Sequence, residues 1–212
     1  MDNTTPAYRR VLWTVIGLNL GMFAVEMFAG MKGQSLALQA DALDFLGDGL
    51  TYGLSLAVLG SALRVRATAA LIKGASLALL AAWILGSAVW RVFFVGDPSP
   101  LVMSTIGLLA LATNAASALL LMRYRNGDAN VRSVWLCSRN DAIGNVAVIG
   151  AAGLVATSGT AWPDLVVAAA MASLFLHSST GIIRQARGEL RQEPAVAESG
   201  IAVGAVRQAQ GA

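Results

Sequence analysis

Two pairs of residues, each spaced four apart, carry the chemistry this sequence has to offer: Asp44 with Asp48, and Cys137 with Asp141. On a helix, residues four apart share a face one turn from each other, with Cβ atoms about 5–6 Å apart. Two such helices facing one another surround a single point with three carboxylates and one thiolate. Four ligands that include a sulfur suit a tetrahedral divalent transition metal, whereas magnesium and calcium take six or more oxygens. A lone cysteine in an apolar helix is ordinarily a small packing residue. Asp141, one turn further along, favours a ligand role for Cys137.

The elements that must position these residues are membrane helices. Of the 212 residues, 56% are hydrophobic and only 13% charged, and the mean hydropathy is +0.64. A soluble domain carries about 25% charged residues. A hydrocarbon core roughly 30 Å thick calls for about 20 apolar residues per helix. Six segments qualify, at 11–30, 35–60, 68–92, 101–122, 133–157 and 163–184, separated by Gly, Pro and charge clusters such as Gly96-Asp97-Pro98. The expected fold is therefore all-α: a six-helix transmembrane domain over 11–187, a cytoplasmic segment at 1–10, and a short floppy tail at 188–212. No cleavable signal peptide is expected ahead of the first span.

The bases orient the bundle. With the N-terminus in the cytoplasm, that side collects twelve of the fifteen Lys and Arg residues, from Arg9 and Arg10 through Arg64, Arg66, Lys73 and Arg123 to the C-terminal arginines. The far side keeps Lys32 and Arg91, and Arg139 lies inside the fifth span. The positive-inside rule then places both termini in the cytoplasm. Although the pI is near 9.5, the net charge is only +3 and the bases alternate with apolar runs, which excludes a nucleic-acid patch. One cysteine excludes an intrachain disulfide and a multi-Cys zinc module.

Five acids fall within the spans: Glu26, Asp41, Asp44, Asp48 and Asp141. Each ionised residue at a helix centre costs roughly 2.5–3.5 kcal/mol even on lenient insertion scales, so three in one helix point to an ion path or site. Asp48 sits mid-span, which makes helix capping a poor account of it. Asn19, Glu26 and Asn114 fit interhelical hydrogen bonding better than ligation. Asp41 suits a path residue or one that orients the ligands, and His177, near the cytoplasmic end of the last span, suits an interfacial or packing role. Arg139 is two residues from both Cys137 and Asp141, about 200° around the helix, and so points away from them, with Glu26 a candidate partner.

The stretch from Asn19 to Glu26, Gly30, and the run from Ser35 to Asp48 resemble the first two helices of the cation diffusion facilitator family. The run from Asp141 to Ile149, followed by Trp162-Pro163-Asp164 and a final helix, resembles that family's last two, and Asn114 fits its fourth. The resemblance covers residues 8–190. It implies a six-helix, dimeric, proton-coupled exporter of divalent metals such as zinc or cadmium. It also implies a central site formed by Asp44 and Asp48 with Cys137 and Asp141. Two departures stand out: Cys137 occupies a position where the family has histidine, and the cytoplasmic metal-binding domain that follows the sixth helix is expected to be absent. The family brings its third helices together near the dimer axis. Here that helix carries Gly74, Ala78, Ala82 and Gly86 in a small-residue stripe beside Lys73.

The expected function is thus secondary active export of zinc or cadmium in exchange for protons, by a multi-pass homodimer of the inner membrane without a prosthetic group. No GxxxxGK[ST] motif supplies ATP drive, and no HExxH or Ser/His pairing supports a membrane enzyme. A non-transporting membrane subunit, or an intramembrane metal-binding protein, is the alternative.

Overall fold

The computed structural model describes residues 6–57, 63–94, 96–123 and 129–209; side chains are described through Arg191, except at 55, 57, 63 and 129–137. Six helices follow in order: α1 (Pro6–Lys32), α2 (Leu36–Ala57), α3 (Leu63–Phe93), α4 (Pro100–Met122), α5 (Ala129–Ser158) and α6 (Trp162–Ala209). Five of them, all but α2, are long and apolar enough to cross a membrane on length and composition alone. α2 misses that standard because Asp41, Asp44 and Asp48 interrupt it. The chain is a multi-pass, all-α membrane protein.

Its surface is the reverse of a soluble protein's. Leu79, Trp83, Leu101 and Leu174 are exposed, while Asn19, Glu26, Asp41, Asn114, Asn145 and Asp164 are buried. Lipid solvates the apolar rim, so polar groups must find partners inside the bundle.

Packing makes α2 the hub. It touches each of the other five helices; α3 pairs chiefly with α6, and α4 with α5. Small residues permit close approach: a Cβ built on Gly49 of α2 would meet the Leu20 side chain of α1 at 2.7 Å and force that side chain to shift. α4 begins with Ser99 as its cap, the side chain accepting from the Val102 N–H, followed by Pro100 in the first turn. α6 runs on past the last apolar stretch as far as Ala209.

Candidate metal centre

α2 and α5 both contact one another within the bundle and run in opposite directions. Going from the C-terminal end of α2 toward its N-terminus, that helix presents Asp48, Asp44 and Asp41, and α5, from its N-terminal end, presents Cys137, Asp141 and Asn145. Asp48 and Asp141 come into hydrogen-bonding contact with one another. Further along, Asn145 Nδ2 donates to Asp41 Oδ2 at 2.6 Å. Asp44 lies between these two levels, half-buried; the charges of Asp41 and Asp48 act on it, and its own acts on Asp141. Cys137 falls on the α5 face of Asp141 by helix register, and its side chain lies outside the described residues. Among the described residues, no three His, Cys, Asp or Glu side chains converge closely enough to hold one ion. What is assembled is the Asp48–Asp141 pair with Asp44 one turn along α2.

Two neighbours tune that pair, one from α2 and one from α3. Tyr52, one turn beyond Asp48 on α2, donates its hydroxyl to Asp48 Oδ2. Lys73 of α3 bonds to Thr51 Oγ1, and its charge acts on Asp48. Lys73 therefore sits beside the carboxylates as well as near the small-residue stripe.

A second polar cluster lies beside the first. Asn114 Nδ2 of α4 donates to Asn145 Oδ1 at 2.9 Å, and Asn145 passes its own amide to Asp41. The interhelical role expected of Asn114 is met. Asn19 instead bonds back to Val15 O at 2.8 Å, within its own helix. Glu26 faces Asp41 rather than Arg139, and Arg139 reaches Asn140 Oδ1 at 3.1 Å. The buried acid on α1 thus looks inward, while the arginine two residues before Asp141 is exposed. His177 is exposed on α6.

Sequence reasoning missed Asn145 and Tyr52, and it saw no role for Asp164. Each had a signal: Asn145 lies four residues after Asp141 and Tyr52 four after Asp48, so both continue the faces already singled out. Asp164 stands in the first turn of α6 and is fully buried. Its carboxylate accepts from Ser35 Oγ and from the N–H groups of Leu36 and Ala37, capping α2 from another helix.

The cation efflux transmembrane domain model matches residues 12–190. A cadmium, cobalt and zinc/H(+)-K(+) antiporter of Bacillus subtilis (strain 168) is 27% identical over 194 residues, covering 84% of this chain and 62% of its own length. A like-named antiporter of Bacillus velezensis is 27% identical over 186 residues, covering 80% of this chain and 59% of its own length. The chain spans about three fifths of the length of these relatives.

Proposed function

The chain belongs to the cation efflux, or cation diffusion facilitator, family, and from that premise we propose that it exports a divalent metal ion, zinc or cadmium, in exchange for protons. The observation that carries this reading is the meeting of Asp48 and Asp141 inside an apolar helix bundle. Two carboxyl groups brought together away from water accept a divalent cation readily, and one or more protons in its place. We assign Asp44 and Cys137, each one turn along its helix from that pair, to the ligand set as well, with Asp44 drawn in toward the pair when the ion binds, since the three carboxylates do not converge in this structure. Carboxylates with a thiolate bind zinc, and the sulfur favours cadmium as well.

Exchange follows from the ligands' chemistry. Carboxyl and thiol groups bind metal only when deprotonated, so each loaded ion releases protons, and each returning proton helps to expel the ion. The protein is then a secondary transporter rather than an enzyme, and the inner membrane is its place. A homodimer through α3 is supported by Ala82 and Gly86, which are exposed on the side of Trp83. The decisive experiment is metal uptake into proteoliposomes across a panel of divalent ions. Uptake of zinc or cadmium that follows an imposed pH gradient and stops when an ionophore collapses it supports exchange. Uptake indifferent to the gradient overturns it.

A further inference from the structure

Glu26 has no place in the metal centre, yet it is the single acid of α1 and is fully buried, at 0% exposure. No hydrogen-bond donor among the described residues reaches either of its carboxyl oxygens, or Asp41 Oδ1. The two carboxyl groups instead face one another in hydrogen-bonding contact. Asp41 Oδ2 is already taken by the Asn145 amide, whose orientation is fixed because its own oxygen accepts from Asn114. The Asn114–Asn145 relay thus presents an N–H to Asp41 and makes Asp41 the acceptor of the cluster.

Two carboxylates cannot satisfy each other, since neither brings a hydrogen. Buried, donorless oxygens on both sides of the contact call for a positive charge between them. A shared proton supplies that charge as an acid-to-carboxylate hydrogen bond, the strong class of such bonds. The geometry points to Glu26 and Asp41 sharing one exchangeable proton, as a counter-ion site separate from the metal ligands.

Position gives this site its use. Asp41 lies one turn before Asp44 on the same helix, and the charged groups acting on Glu26 are Asp41 and Asp44, both acids of α2. From α5, Asp141 lies within range of the charge on Asp41. A divalent ion arriving at Asp44, Asp48 and Asp141 replaces negative charge beside the pair with positive charge, and this favours release of the pair's proton. The proton leaves Glu26 as H+, both carboxylates remain, and the metal's added charge balances the loss. This inference rests on the exchange reading and assigns part of the exchanged protons to named residues outside the metal centre.

The test is calorimetric titration of the full chain in detergent with Cd2+, in buffers of different ionisation enthalpy, which counts protons released per ion. Glu26→Gln keeps the side chain's shape and can donate to Asp41, but it holds no exchangeable proton. The variant should still bind Cd2+ and release about one proton fewer per ion than wild type. Wild type releasing protons and the variant releasing as many overturns the pair while leaving exchange intact. No proton release from either overturns exchange, and the pair with it. Infrared difference spectra of the wild-type chain give an answer independent of the variant's folding. With isotope-labelled glutamate carboxyls, the protonated-carboxyl band of the metal-free protein should move with the label and fade as Cd2+ binds. A band indifferent to labelled glutamate overturns the assignment.

Discussion

Ser35 Oγ donates a 2.6 Å hydrogen bond to Asp164 Oδ1, joining residues 129 positions apart. The Leu36 and Ala37 N–H groups add bonds of 2.8 and 3.1 Å to the same carboxylate, and Ser35 Oγ in turn accepts from the Leu38 N–H at 3.1 Å. A helix N-terminus favours an anion, and here α6 provides it to α2. The N-terminal end of the helix that carries Asp41, Asp44 and Asp48 is thereby fixed to α6.

Asp164→Ala should therefore destabilise the folded protein. It strands three buried donors, and hydrogen bonds to a charged group contribute about 1.5–3 kcal/mol each in the favourable cases. A clear drop in the melting temperature in detergent is expected, with a smaller drop for Asp164→Asn, which keeps one acceptor oxygen. An unchanged melting temperature for Asp164→Ala would show that the cap contributes nothing.

Asp48→Ala and Asp141→Ala should each abolish metal transport while leaving the chain folded. Each removes one half of the facing pair, and each relieves rather than creates buried charge. Asp44→Ala should be comparably severe. Proteoliposome uptake, read beside a thermal melt of each variant, separates loss of a ligand from loss of the fold. Transport retained by both Asp48→Ala and Asp141→Ala would end the assignment.

The spans were legible because apolar runs and charge clusters are local signals, and all six helices fall where the runs do. Asp48 and Asp141 could be singled out because charge inside a membrane span is rare, and the structure brings the two together. What the sequence hid was pairing across helices. Glu26 could be matched to Arg139 on charge alone, but only the packing of α1 against α2 turns it toward Asp41. Asp164 gave no hint of its partner, because its donors belong to a turn 127 to 129 residues away.

Cys137→His should change which metal is preferred. Imidazole is harder than thiolate, so relative transport of cadmium should fall while zinc transport persists. Competition between the two ions in one proteoliposome assay measures this directly. Unchanged selectivity would return Cys137 to the role of a packing residue.

The small residues of α3 should divide into two functions. Gly74 is buried against α6, where an added Cβ would come within 3.0 Å of Ile183, so it serves packing within one protomer. A Cβ on Gly86 meets nothing within 4 Å, and Ala82 is exposed on the same helix. Ala78→Leu combined with Ala82→Leu should yield monomers in mild detergent with little loss of stability, whereas Gly74→Leu should lower stability without selecting monomers. Size-exclusion chromatography with light scattering distinguishes the two. A dimer that survives the double substitution would place the interface elsewhere.

Metal affinity should rise with pH. The ligands are carboxyls and a thiol, which bind an ion only after giving up their protons, so the bound state carries fewer protons than the free one and rising pH favours it. The chain's single histidine, His177, is exposed on α6, so the dependence does not come from an imidazole in the centre. Asp44, Asp48 and Asp141 sense one another's charge, so the titration belongs to the group and not to any one member. For one proton displaced, affinity climbs about tenfold per pH unit wherever that proton is still bound. Cd2+ titrations between about pH 5.5 and 8.5 span the groups expected to respond. Asp48→Asn should flatten the curve, because one exchangeable proton is gone, and a profile already flat in the wild type would mean that metal binding displaces no proton and that exchange is not the mechanism.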